Sequence, residues 1–129
     1  KGAGAKLAKQ LPVSVPSHCA LMHPAAERMR ERLKQLKIGT PHIPVLHNAH
    51  VQAESNADAI RDALVRQVES PVRWVETIQK MAADGVDKLV ECGPGKVLAG
   101  LNKRISKETQ TLSVYDPETL RQARAALGI

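Results

Sequence analysis

His18 is the residue whose type and surroundings best suit chemistry. It follows a run over 11–15 in which Val13 and Val15 predict a β-strand, and Pro16 ends that strand because proline has no N–H to donate to a ladder. In α/β proteins, ligands and reacting groups gather where strands end and helices begin. An imidazole at such a junction can serve as a general base or acid. The alternative is a histidine that only packs or caps a helix.

Other histidines and a cysteine also need an interpretation. His42, His47 and His50 lie close together in sequence, but their spacing fits neither one helix face nor a common zinc pattern, and no cysteine lies among them. We therefore expect surface histidines and no bound metal. Cys19 is not expected to act as a nucleophile with His18, because neighbours on an extended chain point to opposite sides.

A glycine-rich turn follows a predicted strand further along the chain. Gly93-Pro94-Gly95-Lys96 is neither a dinucleotide-binding fingerprint nor a Walker A sequence. Alone it predicts a tight turn whose glycines permit positive φ. The N–H groups of the helix that follows could still face an anion such as a phosphate or carboxylate.

The elements that would position these residues alternate between strands and helices. Asn56, Ser70-Pro71 and Asp116-Pro117 are typical helix starts, and Gly39 and Gly85 are typical helix ends. Strands are predicted at 43–46, at 87–92 (buried) and at 111–115, and apolar spacing predicts that the helix after the glycine-rich turn buries Val97, Leu98, Leu101 and Ile105. The order predicts an α/β layer with a mostly parallel sheet.

Composition narrows the function classes. The 129 residues make one domain or part of one, and the net charge of +6 favours an acidic partner. Trp74 and Tyr115 are the only aromatic residues, a poor stacking platform for nucleic acid. Two cysteines outside any C-x-x-C predict a reduced, intracellular chain, and no segment has membrane-spanning length. Because the first residue is lysine, we expect the chain to begin partway through a larger protein.

Four segments are more informative together than singly. They are VSVPSHCALM at 13–22, NADAIRDALVRQ at 56–67, SPVRW at 70–74 and ECGPGKVL at 91–98. In this order and at this spacing they resemble the C-terminal part of bacterial malonyl-CoA:acyl carrier protein transacylases, over nearly the whole chain. The resemblance implies an α/β-hydrolase-like core with an inserted ferredoxin-like subdomain. Residues 1–20 would end that subdomain with its last strand, and residues 21–129 would be the C-terminal part of the acyltransferase core.

The resemblance also implies a serine–histidine acyltransferase of fatty-acid synthesis, which moves malonyl from coenzyme A to acyl carrier protein. His18 falls on the family's catalytic histidine, and Gln67 supplies the backbone carbonyl that would hold its other ring nitrogen. Acyl-pocket positions fall on Val13, Ser17 and Val97. An acyl-serine would form and then be attacked by the carrier thiol, a ping-pong reaction with His18 as base and acid. Ser17 is small and does not by itself decide between malonyl and methylmalonyl.

The chain departs from the family pattern in one respect. It has no G-x-S-x-G nucleophile elbow, and the arginine that would bind the malonyl carboxylate falls outside it as well. We therefore expect the missing N-terminal part of the same enzyme to carry the serine. We also predict that this chain alone transfers no acyl groups.

The expected partners are malonyl-CoA and acyl carrier protein, in the cytoplasm, with no nucleic acid and no membrane. Coenzyme A thioester is the substrate, so no cofactor is expected. Lys96, Lys103 and Arg104 are candidates for contact with the acidic carrier protein, although an exposed helix face explains them equally well. The alternative function is a non-catalytic basic module that binds an acidic protein or nucleic acid through its charge.

Overall fold

The computed structural model describes residues 2–10 and 12–129, and within them the chain forms five α-helices and a small sheet. The elements are α1 (His23–Lys34), α2 (Ala57–Glu69), α3 (Trp74–Ala83), β1 (Lys88–Cys92), α4 (Val97–Ile105), β2 (Gln110–Val114) and α5 (Pro117–Leu127). A 3-10 turn, Ala20–Met22, leads into α1. The mixed α/β class is as predicted.

The sheet consists of two parallel strands. Lys88 lies opposite Gln110 and Cys92 lies opposite Val114, and α4 makes the crossover between the strands. β1 begins one residue later than predicted, because Asp87 contributes only its carbonyl, which accepts from the Gln110 N–H at 2.8 Å. β2 begins one residue earlier than predicted, because Gln110 pairs with Lys88. The parallel pairing confirms the predicted sheet type.

Helices α1 and α2 pack against each other through small side chains. Ala26 and Ala63 are fully buried, and Val65 is almost so. The predicted end of α1 at Gly39 is wrong, since the helix stops at Lys34. The guanidinium of Arg61, on α2, donates to the carbonyl oxygens of Leu33 (3.1 Å) and Leu36 (2.8 Å). A side chain distant in sequence therefore satisfies carbonyls that a terminal glycine motif would otherwise satisfy.

Two predicted helix starts are confirmed. The Asn56 side chain accepts from the N–H groups of Asp58 (2.8 Å) and Ala59 (3.3 Å), at the start of α2. Asp116 accepts from the Thr119 N–H at 2.7 Å in a capping box at the start of α5. That hydrogen bond holds the pKa of Asp116 below its ordinary value.

The predicted start of α3 is wrong. The helix begins at Trp74 and not at Pro71, because the Arg73 N–H donates to the Asn48 carbonyl at 2.9 Å and so leaves the helical pattern. Further along α3, Ile78 is buried. Gly85 ends the helix region as predicted, with φ 89°, a left-handed conformation that favours glycine.

The predicted strand at 11–15 is also wrong where it can be checked. Leu11 lies outside the described residues, and residues 12–15 form no strand. Val13 and Val15 are 69% and 51% exposed. A segment of high β propensity forms a strand only when a neighbouring segment offers N–H and C=O groups for pairing. Residues 12–15 pair with no strand among the residues described.

The predicted strand at 43–46 is reduced to one antiparallel bridge between Leu46 and Ala53, consistent with the irregular edge that Pro44 predicts.

The apolar residues of β1 and α4 are less buried than predicted. Val90 is 37% exposed, so β1 is not a buried strand. On α4, Ala99 and Asn102 are buried, whereas the predicted inward residues Val97, Leu98 and Leu101 are 72%, 38% and 39% exposed. The sequence therefore predicted the helix correctly but the wrong buried face. Helix α4 packs on α3 and on the sheet through Ala99 and Asn102. The Trp74 indole N–H fixes this orientation by donating to the Asn102 side chain at 3.0 Å.

Candidate active site

The ring of His18 contacts the end of α2, as the resemblance implies for Gln67. Its Nδ1 lies 2.8 Å from the carbonyl oxygen of Gln67. A carbonyl can only accept, so Nδ1 must carry a proton there. In the neutral ring Nε2 is then left without a proton and can accept one, which is the arrangement that a general base needs.

The backbone of His18 adopts an uncommon conformation. Its φ is 61°, in the left-handed region that non-glycine residues rarely occupy. The His18 N–H donates to the Val68 carbonyl at 3.2 Å, so backbone and ring bind consecutive residues of α2. Strained backbone of this kind persists where surrounding contacts hold it, and it is concentrated at functional sites.

Local turns before His18 bring it to α2. The Ser17 N–H donates to the Val15 carbonyl at 2.8 Å, which makes a tight turn centred on Pro16. The Cys19 thiol donates to the Pro16 carbonyl at 3.1 Å. The thiol therefore stabilises the turn.

The last carbonyls of α2 are suited to receive a histidine. The final four C=O groups of a helix have no partner within it, and they carry the negative end of its dipole. His18 takes two of these groups. The end of α2 therefore supplies acceptors to both the ring and the backbone of His18.

The other predicted pocket residues are exposed. Ser17 is next to His18 in sequence and open to solvent. Val13 and Val97 are 69% and 72% exposed. The structure thus brings His18 and Gln67 into contact, and it shows no enclosed acyl pocket around Val13, Ser17 and Val97 among the described residues.

One polar pair near His18 was not anticipated from the sequence. His23 Nδ1 lies 2.8 Å from the Glu69 carboxylate, joining the first residue of α1 to the last residue of α2. The helical patterns of α1 and α2 are visible in the sequence, but nothing in either pattern shows which helix ends meet. The pair could have been found only after α1 and α2 were known to pack side by side.

The anion site considered at the glycine-rich turn is occupied by the protein's own carboxylate. Glu91, on β1, accepts from the N–H groups of Leu98 (3.2 Å) and Ala99 (2.7 Å) at the start of α4. Beside the turn, the Lys96 ammonium lies 4.8 Å from the centre of the Tyr115 ring. Hydrogen bonding with the Tyr115 side chain raises the pKa of Lys96 above its ordinary value.

The prediction that His42, His47 and His50 lie at the surface is wrong for His47, which is only 6% exposed. Its ring stacks on His50 at 5.4 Å, and His50 Nε2 lies 3.0 Å from Glu54. Burial, followed by the nearby His50, lowers the pKa of His47. Across residues 2–10 and 12–129, no three His, Cys, Asp or Glu side chains meet in a geometry that would hold a metal ion. The helices described are all too short or too polar to span a membrane.

Comparison with known proteins gives consistent relatives. No protein-family model matches the chain. A malonyl CoA-acyl carrier protein transacylase of Haemophilus influenzae is 60% identical over 116 residues, which cover 90% of this chain and 37% of that protein. The Escherichia coli protein of the same name is 50% identical over 123 residues, which cover 95% of this chain and 40% of that one.

Solved structures agree with these relatives. An acyl carrier protein S-malonyltransferase from Vibrio cholerae matches with a TM-score of 0.88 at 52% identity, over 95% of this chain and 40% of that one. A malonyl-transacylase in complex with a type II PKS acyl-carrier protein matches with a TM-score of 0.92 at 48% identity, over 97% of this chain and 40% of that one. The chain is therefore homologous, in sequence and fold, to malonyl CoA-acyl carrier protein transacylases, and it spans about 40% of their length.

Proposed function

We propose that this chain is the C-terminal, histidine-bearing part of a malonyl-CoA:acyl carrier protein transacylase and that His18 is its general base and acid. The observation that carries the proposal is the 2.8 Å contact between His18 Nδ1 and the Gln67 carbonyl. These are the two residues on which the resemblance puts the catalytic histidine and its acceptor. The homology to transacylases supports the same reading.

The proposed reaction has two acyl-transfer steps. His18 Nε2 takes the proton of a serine hydroxyl outside this chain while the serine oxygen attacks the malonyl thioester carbon. The protonated ring then returns the proton to the departing coenzyme A sulfur, which leaves an acyl-serine. In the second step the carrier protein's thiol loses its proton to His18 and attacks the acyl-serine. The serine oxygen leaves with that proton, and the enzyme is restored.

The backbone carbonyl of Gln67 takes the part that a carboxylate has in a Ser-His-Asp triad. It fixes the Nδ1–H tautomer and the ring orientation, and its lone pairs stabilise the imidazolium. A neutral carbonyl supplies this without placing a second full charge in the site. Gln67 therefore acts through its main chain, so its side-chain identity is not expected to matter for transfer.

The proposed substrates are malonyl-CoA and acyl carrier protein, with no resident cofactor and with the enzyme in the cytoplasm. Val13, Ser17 and Val97 would line the acyl pocket once the rest of the enzyme covers them. The net charge of +6 suits an acidic carrier protein, and Lys96, Lys103 and Arg104 are the proposed contacts. Lys103 and Arg104 lie in the last turn of α4 and are exposed.

The finer architecture is part of the same proposal. Residues 21–129 would belong to an α/β-hydrolase-like core, and residues 1–20 would end a ferredoxin-like subdomain. The exposure of Val90, Val97 and Leu101 supports a longer core, since the remaining part of the enzyme would cover apolar side chains that are open here.

The test is reconstitution of the whole enzyme. The chain is combined with the remaining part of the Haemophilus influenzae homologue, and malonyl transfer is followed by stopped flow. His18→Ala should lower the rate about 10²–10⁴-fold, the usual contribution of a general base. His42→Ala, which removes another exposed histidine, is the matched control and should transfer normally. Normal transfer by the His18 variant would contradict the assigned role.

A second measurement concerns the chain alone. Incubation with radiolabelled malonyl-CoA should leave no covalent label, because no residue here has the context of a nucleophile elbow. Covalent label on the isolated chain would show that the nucleophile lies within it. For the non-catalytic alternative, DNA titrations over a salt series should give a steep slope, and a flat or absent response would exclude nucleic acid as the partner.

A further inference from the structure

Three contacts join the segment 18–23 to three consecutive residues at the end of α2. The His18 ring binds the Gln67 carbonyl at 2.8 Å, and the His18 N–H binds the Val68 carbonyl at 3.2 Å. The third contact, at 2.8 Å, joins His23 to the Glu69 carboxylate. The first two contacts hold the proposed base itself. The third holds the point at which its segment enters α1.

Glu69 is placed where the dipole of the neighbouring helix favours its negative charge. Glu69 lies at the C-terminal end of α2, where an anion is unfavourable, but beside the N-terminal end of α1, where an anion is favourable. His23, at the N-terminal end of α1, donates its ring N–H to that carboxylate. Glu69 therefore gains from the neighbouring helix and not from its own.

The opposite end of the same helix pair is fixed separately. Arg61 donates to the carbonyls of Leu33 and Leu36, and Arg30 donates to Asp62 at 3.2 Å. These contacts lie away from His18. Among the described side chains, the His23–Glu69 pair is the one that ties the helix ends together on the His18 side.

His18 needs this support because its conformation is costly. A left-handed residue other than glycine costs about 1–2 kcal/mol, and His18 is exposed, so burial does not hold it. We propose that His23 and Glu69 are positioning residues, whose contact keeps the His18 ring on the Gln67 carbonyl. The consequence for catalysis rests on the proposed function, whereas the structural claim does not.

The experiment observes the His18 ring directly in the 129-residue chain. Two-bond ¹H–¹⁵N correlation spectra above neutral pH report which ring nitrogen carries the proton. Glu69→Ala should lower the ratio of Gln67-bonded to free ring about two- to fivefold, the effect of losing one modest, solvent-exposed hydrogen bond. Glu69→Gln should do less, because its amide oxygen can still accept from His23. His23→Ala should resemble Glu69→Ala.

The matched control is Glu54→Ala, which breaks the similar contact with His50 at 3.0 Å, outside the segment 18–23. It should leave the His18 signals unchanged. Thermal unfolding of every sample ensures that spectra compare folded chains, and Glu69→Gln carries the test if Glu69→Ala does not fold. His18 signals that are unchanged in folded Glu69 and His23 variants would overturn the proposal.

The reconstituted enzyme provides the catalytic readout. Glu69→Ala should lower kcat, by at most the same two- to fivefold factor because kcat follows the fraction of rings bound to Gln67, and leave the KM for malonyl-CoA unchanged, since the pair acts on the base and not on substrate binding. A loss confined to KM would overturn the positioning role. If the ring signals shift but transfer does not depend on His18 at all, the positioning claim stands and the proposed function falls.

Discussion

Glu91 joins β1 to the start of α4, and its removal should destabilise the chain measurably. The carboxylate accepts two N–H groups, from Leu98 at 3.2 Å and from Ala99 at 2.7 Å. These are donors that a helix start leaves without intrahelical partners, so Glu91 does from a neighbouring strand what a capping residue does locally. It also holds the intervening glycine-rich turn between two fixed points.

The expected magnitude follows from these contacts. Losing a helix-capping side chain costs about 0.5–2 kcal/mol, and losing the charge at the positive end of the dipole adds about 0.3–1 kcal/mol. We therefore expect Glu91→Ala to lower the free energy of unfolding by about 1–3 kcal/mol. The carboxylate uses one oxygen for each N–H, so Glu91→Gln loses one of the two hydrogen bonds as well as the charge. It should therefore cost about 1–2 kcal/mol, nearly as much as Glu91→Ala.

Urea denaturation followed by far-UV circular dichroism measures both variants. With a slope of about 1–3 kcal/mol per molar urea, the midpoint of Glu91→Ala should fall by roughly 0.3–3 M. Glu108→Ala is the control, because it removes an exposed glutamate from the loop before β2. If Glu91→Ala and Glu108→Ala unfold at the same urea concentration, the carboxylate does not cap α4 and the reasoning is wrong.

Two other expectations concern stability. Burial, followed by the nearby His50, lowers the pKa of His47 from 6.5. Below pH 6.5 the unfolded chain therefore binds more protons than the folded chain. The free energy of unfolding should keep its full value above pH 6.5 and fall as the pH drops below it. Glu54 opposes this shift and Arg66 reinforces it. If a His47→Gln variant keeps the same dependence of thermal stability on pH, His47 is not the group responsible. Asn56→Ala should cost about 1 kcal/mol in urea melts through loss of the α2 cap, whereas a cost no greater than that of Ser55→Ala would show that the cap contributes nothing.

Features set by neighbouring residues were predictable from the sequence. The starts of α2 and α5 follow from Asn56 and Asp116, whose side chains bind N–H groups two or three residues away. The parallel pairing of β1 and β2 follows from the intervening helix α4, since parallel strands need such a crossover. In each case the cause and the effect lie within a few turns of chain.

Features set by distant contacts were not predictable. Helix α1 ends at Lys34, where Arg61 binds the Leu33 carbonyl inside the helix and the Leu36 carbonyl just beyond it. Helix α3 starts late because Arg73 binds Asn48. The period of α4 was clear, but which face it buries depends on Ala99 and its neighbours in space.

The candidate site also has features that the sequence predicted and features that it did not. Resemblance to a family led to His18 and Gln67, and the carbonyl contact was found at those residues. The left-handed backbone of His18 and its neighbour pair, His23 with Glu69, depend on how α1 meets α2. No local pattern encodes that meeting, and the roles of Val13, Ser17 and Val97 stay predictions.

The open apolar side chains of β1 and α4 have a practical consequence for anyone who purifies this chain by itself. Val90 and Val97 expose apolar surface to water. Within the described region, the outer edge of β1 also has no strand partner. Mutual repulsion from a net charge of +6 should keep molecules apart in dilute buffer. Raising the ionic strength shortens the range of that repulsion, so light scattering should increase with added salt.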